Sequence, residues 1–270
     1  MRRRRCPAFE IVYGGPEESI ALVKDPRIKA VGFTGSLGGG RALMDAAAAR
    51  PDPIPVYAEM SSLNPVFVLP GYDGGVQALA DSVTVSSGQL CTKPGIVITS
   101  SPSFARDLAT AVAASPTHRM LTPAMAAAHA RWRAQADGLG EIVAGTQDPA
   151  PFALITDQLH ESLLEEHFGP SVVIYTGSVD PALLQGSLTA TILAGPSDMD
   201  AARELLPALM TMAGRVIWNG VPTGVAVNEA QQHGGPWPAT SAPWTTSVGT
   251  QSIERFQRPV ALQCLPAELL

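Results

Sequence analysis

The sequence is poor in charge for a protein of its length. Charged residues make up 16% of its 270 positions and hydrophobic residues 46%, whereas soluble domains typically carry roughly 25% charged residues. We therefore expect much of the chain to be buried, either in its own core or against a partner, which favours a homo-oligomer. The net charge of −6 provides no basic field for a phosphate backbone, which argues against nucleic acid as a partner.

Long apolar runs are also missing. No uninterrupted apolar stretch approaches the roughly 20 residues that a transmembrane helix needs. The N-terminal stretch MRRRRCPAFEIVYGG is positively charged, but it lacks the apolar segment of about seven to fifteen residues that a secretory signal requires. We expect no membrane partner and a cytoplasmic location.

Cysteine is scarce, and its spacing does not indicate a metal centre. Cys6, Cys91 and Cys264 are distant from one another, with no CxxC pair and no paired histidine spacing typical of zinc. We therefore predict free thiols in a reducing compartment and no metal site. Cys6 and Cys264 lie near the ends in contexts that suit packing, so Cys91 is expected to be the thiol most reactive toward alkylation.

Short β-branched runs alternate with alanine-rich stretches, which is typical of a mostly parallel sheet covered by helices. The strand candidates are residues 29–35, 55–60, 65–70, 95–100, 171–176, 188–195 and 215–220. The clearest helix is 123–137, because Thr122 is a good N-cap and Gly138 is placed to end it. Residues 233–249 are too rich in Gly, Pro, Ser and Thr for a regular element, and RFQRPVALQCLP after them predicts a final strand. The sequence thus predicts an α/β fold.

Two residues have a chemical context of their own. Glu59 ends the otherwise apolar stretch PIPVYAEM, where burial would raise the pKa of its carboxyl toward that of a general base. The alternative is a strand-end carboxylate that faces water. Cys91 lies in SSGQLCTKPG, between turn-forming residues at a predicted helix exit. A thiol there could serve as a nucleophile or could simply fill space.

Two further stretches carry weaker signals. In FTGSLGGGR (33–41), a predicted strand ends at Gly35-Ser36 and glycines open a helix, which is how backbone N–H groups are presented to a phosphate. Its spacing matches neither GxGxxG nor GxxxxGK[ST]. EEHFGP (165–170) places two carboxylates before an aromatic residue and a turn, which says little by itself.

Taken in order, FTGS…GR, AEMSSLNP, GQLCTKPG and EEHFGP resemble the aldehyde dehydrogenase superfamily. Residues 88–91 match the family's Gly-Gln-x-Cys motif. Residues 59–62, Glu-Met-Ser-Ser, depart from its Glu-Leu-Gly-Gly motif but keep the glutamate and the following Asn64-Pro65. The stretches ARPDPIPVYAEMSSLNPVFVLPG and HGGPWPATSAPWTTSVGTQSIERFQRPV look like the branch that oxidises 2-oxoglutarate semialdehyde (2,5-dioxopentanoate). The similarity extends over essentially the whole chain.

The resemblance implies a covalent mechanism. The Cys91 thiolate would attack the aldehyde carbon to form a thiohemiacetal, and its backbone N–H would form half of an oxyanion hole. After hydride transfer, Glu59 would activate the water that hydrolyses the thioester. The implied reaction is the oxidation of a small-molecule aldehyde to a carboxylate.

The resemblance also implies a site for NAD or NADP. Gly35 and Ser36 would lie near the cofactor pyrophosphate, with Gly40 allowing close packing. Glu166 would hold the nicotinamide ribose, and Phe168 would lie beside it. The choice between the two cofactors stays open at this point.

The fold implied is aldehyde dehydrogenase-like, with a partial Rossmann-type cofactor lobe and an α/β catalytic lobe. Residues 1–58 would be the truncated C-terminal part of the cofactor-binding domain, and 59–220 the catalytic domain. Residues 221–270 would return and end in an oligomerisation strand. Because the family begins with a longer cofactor-binding segment, we expect the chain to be the C-terminal half of a full-length member. Two alternatives stay open: a piece that folds or associates without dehydrogenase activity, and cysteine-dependent ester hydrolysis.

Overall fold

The computed structural model describes residues 9–269. Within them the chain forms nine strands in two sheets, six α-helices and several short 3₁₀ turns. The strands are β1 (Val31–Thr34), β2 (Val56–Glu59), β3 (Val66–Val68), β4 (Ile96–Thr99), β5 (Glu141–Ala144), β6 (Phe152–Thr156), β7 (Ser171–Tyr175), β8 (Ser187–Leu193) and β9 (Ala213–Trp218). The helices are α1 (Pro16–Lys24), α2 (Leu37–Ala48), α3 (Gln77–Thr84), α4 (Pro102–Ala114), α5 (Pro123–Ala136) and α6 (Met199–Met212).

The larger sheet has seven strands in the order β5-β6-β7-β4-β3-β8-β9. Adjacent strands within this sheet run parallel, except for the antiparallel pair β5 and β6. Successive side chains of a strand point to opposite faces. On β3, Phe67 therefore packs into the core that includes α5 and α6, whereas Val66 and Val68 pack against α3 and α4. Helices cover both faces, as the predicted α/β fold requires.

The smaller sheet is the parallel pair β1 and β2, in register from Val31 opposite Val56 to Thr34 opposite Glu59. Helices α1 and α2 pack on it through a small apolar cluster. On the other edge of β2 lies residue segment 239–241, whose backbone exchanges hydrogen bonds with Ala58 and Met60. This return brings the Gly- and Pro-rich segment alongside the end of β2.

All seven strand candidates contain or overlap observed strands, and the predicted helix is α5, with the Thr122 hydroxyl accepting a hydrogen bond from the Met125 amide at 3.2 Å. Strands β5 and β6, four and five residues long, were not predicted from the sequence. No helix over residues 9–269 has the length and apolar character needed to cross a membrane.

The predicted final strand is not formed within the described part of the chain. A 3₁₀ turn covers Thr250–Phe256, and residues 257–263 are exposed and carry no regular secondary structure. A strand needs a hydrogen-bonded neighbour, and none of the described strands lies beside this segment. Pairing of this segment between subunits, and the division at residues 58 and 220, stay predictions.

Candidate active site

The end of β2 positions the carboxylate. Glu59 is the last residue of that strand and is only 6% exposed. Its backbone carbonyl accepts a hydrogen bond from the Gly35 amide at 3.1 Å, just after β1 ends. The carboxyl ends of the two parallel strands therefore lie side by side, the usual place for a site in an open parallel sheet.

A strained turn presents the cysteine. Before Cys91, three successive residues have positive φ: Ser86 at 52°, Ser87 at 54° and Gly88 at 64°. Left-handed backbone costs a non-glycine residue on the order of 1–3 kcal/mol, so it persists only where neighbouring contacts enforce it. Here the Ser87 hydroxyl donates to the His118 carbonyl and accepts from its amide, both at 2.6 Å.

The fully buried amide of Asn64 ties this turn to the rest of the molecule. Its Nδ2 donates to the carbonyls of Cys91 at 2.9 Å and Lys93 at 3.0 Å. Its Oδ1 accepts from the Ser62 hydroxyl at 2.7 Å and from the Thr189 amide at 3.2 Å. One side chain thus joins the loop after β2, the cysteine loop and β8.

His233 completes the cluster from the Gly- and Pro-rich segment. Its Nε2 lies 3.1 Å from Oε1 of Glu59 and 3.4 Å from Sγ of Cys91. The Ser247 hydroxyl donates to the other carboxylate oxygen of Glu59 at 2.5 Å. The imidazole of His233, only 3% exposed, therefore contacts both the thiol and the carboxylate, which also interact with each other.

The surroundings set opposite proton states on the two acids. Burial, together with the charge of Glu59, raises the pKa of the Cys91 thiol to about 12, so the resting thiol is protonated. Burial also opposes ionisation of Glu59, but hydrogen bonds from His233 and Ser247 outweigh it and hold the Glu59 pKa below its usual value. The expectation of a raised pKa for Glu59 is therefore wrong, because burial was weighed without these donors.

The same contacts correct the expected order of thiol reactivity. Cys91 is half-buried, and its raised pKa leaves little thiolate, whereas Cys264 is exposed. Alkylation follows thiolate fraction and access, so Cys264 is now the thiol expected to react first. Cys6 lies outside the described residues.

Glu166 reaches the same edge of the molecule. Its carboxylate interacts with the Ser61 side chain and the Ser62 backbone, beyond the end of β2. Burial raises its pKa to about 7, although the neighbouring Lys93 cation opposes this. Lys93 is buried, donates to the Ser171 carbonyl at 2.8 Å, and has a pKa lowered by burial to about 8.

The remaining predicted cofactor residues lie on two segments of the chain. Phe168 is partly buried and precedes Gly169, whose amide donates to the carbonyl of Gly88 at 3.1 Å, so its loop contacts the cysteine loop. On the second segment, Ser36 caps α2, because its side chain accepts a hydrogen bond from the amide of the third helical residue at 3.2 Å. Gly40, in the first turns of α2, would place any side chain 2.4 Å from the Met60 sulfur.

These residues fit a dinucleotide in their chemistry. The N-terminus of α2 follows directly on Gly35 and Ser36, and a side chain at Gly38 would meet nothing within 4 Å. Open backbone at a helix N-terminus suits an anionic phosphate. A carboxylate such as Glu166 suits a ribose hydroxyl.

Sequence reasoning missed His233, Asn64 and Ser247 as members of the cluster. His233 is 174 positions from Glu59 and 142 from Cys91, so no local spacing could join them. The sequence did offer one hint to His233, because this histidine lies in a long irregular segment and such segments are often functional.

Comparison with protein families and curated sequences identifies relatives. The model described as the Aldehyde dehydrogenase family matches residues 7–137. Alpha-ketoglutaric semialdehyde dehydrogenase 2 of Azospirillum brasilense is 44% identical, over 93% of this chain and 53% of that protein. Alpha-ketoglutaric semialdehyde dehydrogenase of Acinetobacter baylyi is 38% identical, over 94% of this chain and 54% of that protein. The chain thus spans about half the length of the curated relatives it matches.

Solved structures agree on the fold. Gamma-glutamyl-gamma-aminobutyraldehyde dehydrogenase from Burkholderia cenocepacia matches with a TM-score of 0.77 at 20% identity, over 90% of this chain and 54% of that one. A lactaldehyde dehydrogenase matches with a TM-score of 0.75 at 19% identity, over 88% of this chain and 54% of that one. The fold class predicted from the sequence is therefore confirmed.

Proposed function

The chain belongs to the aldehyde dehydrogenase family, and we propose that it oxidises an aldehyde to a carboxylate with NAD or NADP as hydride acceptor. The observation that carries this proposal is the buried cluster of Cys91, His233 and Glu59. The names of the two curated relatives support 2-oxoglutarate semialdehyde as the substrate. The proposal also includes that the protein acts as a homo-oligomer in the cytoplasm.

The first step is attack by Cys91 on the aldehyde carbon. A bond forms between Sγ and that carbon, and the carbonyl oxygen becomes an oxyanion that the Cys91 backbone N–H can stabilise. Because the resting thiol is protonated, its proton must leave as the bond forms. Cys91 is only half-buried, so the proton can leave to solvent, while the Nε2–H of His233, 3.4 Å from Sγ and 3.1 Å from Oε1 of Glu59, stabilises the developing thiolate.

The second step removes a hydride and needs a cofactor. When bound, a nicotinamide dinucleotide supplies the hydride acceptor. Residues that would hold it are Gly35, Ser36, Gly40, Glu166 and Phe168. The carbon attached to Sγ is then at the oxidation level of a thioester.

The third step is hydrolysis of the thioester. Glu59 accepts a proton from a water molecule, the water oxygen bonds to the thioester carbon, and the bond to Sγ breaks. A carboxylate must be ionised to accept a proton, and the hydrogen bonds from His233 and Ser247 keep Glu59 in that form. Sγ leaves as a thiolate and takes up the proton from Glu59, so the products are the carboxylic acid and the free thiol of Cys91.

The test measures two reactions on the same preparation. We expect reduction of NAD⁺ or NADP⁺ that requires 2-oxoglutarate semialdehyde and is lost in Cys91→Ala. Glu59→Gln should keep a rapid first turnover and slow the steady state by about 10²–10⁴-fold, the usual contribution of a general base. Hydrolysis of an activated ester that needs Cys91, without cofactor reduction, would leave acyl transfer as the activity. A folded chain with neither reaction would overturn the proposal and favour a non-catalytic, associating piece.

A further inference from the structure

Three different kinds of metal ligand meet at one point in the cluster. Cys91 offers a sulfur, His233 a ring nitrogen and Glu59 a carboxylate oxygen, and these atoms lie within 4.8 Å of one another. His233 and Glu59 are 3% and 6% exposed. Such a group differs from a surface cluster of carboxylates, because two of its members are withdrawn from water and each contributes a different donor atom.

The spacing of the atoms fits a single small cation. Zinc binds sulfur at about 2.3 Å, imidazole nitrogen at about 2.0–2.1 Å and carboxylate oxygen at about 2.0–2.2 Å, usually with tetrahedral angles. Those lengths and angles place sulfur and nitrogen about 3.5 Å apart, and nitrogen and oxygen about 3.3 Å apart. The corresponding separations here are 3.4 and 3.1 Å. The third pair, sulfur and carboxylate oxygen, lies within 4.8 Å against about 3.6 Å in such a site, so binding would draw these two atoms together.

We propose that Cys91, His233 and Glu59 form a reversible inhibitory binding site for zinc or a similar divalent transition-metal cation. Three protein ligands leave a fourth position for water, the arrangement seen in open zinc sites. A cation held on Sγ blocks the thiol against any electrophile. Binding of the cation does not rest on the proposed function, because it requires neither an aldehyde nor a dinucleotide; only its inhibitory effect does.

Charge supports the site as well as distance. On binding, the S–H bond of Cys91 breaks, a sulfur–metal bond forms, and one proton passes to solvent. Glu59 is already ionised, and His233 would exchange the Nε2–H that it donates to Glu59 for a proton on Nδ1, which frees the Nε2 lone pair for the metal. The charges of two anionic ligands and one divalent cation sum to zero. A neutral assembly has the smallest free-energy cost of burial away from water.

The expectation of no metal site came from spacing along the chain. CxxC pairs and paired histidines are recognisable because their ligands are neighbours in sequence. Here two of the three ligands are 142 and 174 positions from the third. A site assembled from such distant segments has no local sequence signature.

Cobalt(II) is the probe, because its spectrum reports both geometry and a sulfur ligand. In the double variant Cys6→Ser/Cys264→Ser, Cys91 is the only thiol of the chain. We expect one equivalent of Co²⁺ to give intense visible bands of a tetrahedral site and a near-ultraviolet band from sulfur-to-cobalt charge transfer. Zinc should displace the cobalt and bleach these bands, and further replacement of Cys91 by serine should abolish the charge-transfer band.

Matched histidine variants test the second ligand. His233→Gln should weaken cobalt binding by at least about 10–100-fold, the loss that even outer-shell partners of metal ligands cause. His160→Gln, at an exposed position, should change nothing. Circular dichroism checks that each variant is folded. The inference fails if the folded background protein shows no charge-transfer band, if the band survives Cys91→Ser, or if both histidine variants bind equally well.

Alkylation of the unaltered chain provides a test that needs no variant, so misfolding of a variant cannot affect its result. Zinc should slow the reaction of Cys91 with iodoacetamide while leaving the exposed Cys264 unaffected. Equal rates at Cys91 with and without zinc would also overturn the inference. Because neither experiment contains substrate or cofactor, failure here would leave the proposed dehydrogenase activity standing, and failure of that activity would leave the metal site standing.

Discussion

Replacing Gly88 by alanine tests whether the cysteine loop depends on close contact with the loop that carries Glu166. Gly88 has φ +64°, and a Cβ there would lie 2.1 Å from the Gly169 oxygen and 2.6 Å from the Pro170 nitrogen. Both are backbone atoms, so no side-chain rotation can relieve the overlap. Gly88→Ala must therefore push the two loops apart and weaken the hydrogen bond from the Gly169 amide to the Gly88 carbonyl.

The magnitude can be separated into two parts with a matched control. Gly138 also has positive φ, at +86°, but a Cβ there would meet nothing within 4 Å. Gly138→Ala should therefore cost only the left-handed conformation, about 1–2 kcal/mol. Gly88→Ala carries the same cost plus overpacking of about 1–3 kcal/mol, for a total of about 2–5 kcal/mol.

The free energy of unfolding of the three proteins, measured in urea, provides the comparison. We expect Gly88→Ala to lose at least about 1 kcal/mol more than Gly138→Ala, the lower limit of the overpacking cost. The rate of Cys91 alkylation in the folded state should rise only in Gly88→Ala, because only that loop is displaced. Equal stability losses in the two variants would refute the claim that the backbone contact, rather than the left-handed conformation, requires glycine at position 88.

Other contacts of the site lead to further measurable outcomes. Asn64→Asp removes the donor to two buried carbonyls of the cysteine loop and should cost about 2–6 kcal/mol at about 1–3 each, while the exposed control Asn228→Asp should change stability by less than about 0.5 kcal/mol. Because burial raises the Glu166 pKa from 4.5 to about 7, the folded chain binds this proton more tightly than the unfolded chain. The free energy of unfolding should therefore fall by up to about 3 kcal/mol as pH rises through that interval, and urea titrations of Glu166→Gln should lack this fall. In mass-mapped alkylation of the native chain, Cys264 should react before Cys91, and the reverse order would contradict the half-buried, protonated thiol.

Local patterns in the sequence were enough for most of the fold. Helix α5 was predictable because its start depends on the Thr122 hydroxyl and a backbone amide three residues later, both within one short window. Central strands such as β4 and β8 are rich in apolar residues and buried throughout because helices cover both faces of the sheet. Strand β5 lacks this apolar signal because it lies at the edge of the sheet with Glu141 and Ala144 exposed, and the neighbouring β6 was not predicted although most of Phe152–Thr156 is buried.

The sequence by itself was enough to propose Cys91 and Glu59 as the nucleophile and the base, since each lies in a recognisable short motif, and the structure places the two side chains in one cluster. Only the tertiary structure decided their proton states and their partner. Side-chain contacts across 142 to 188 positions place His233 and Ser247 around the carboxylate. These donors lower the Glu59 pKa where burial alone would have raised it. The sign of a pKa shift depends on the balance between desolvation and hydrogen bonding, and the hydrogen-bonding side of that balance exists only once the chain has folded.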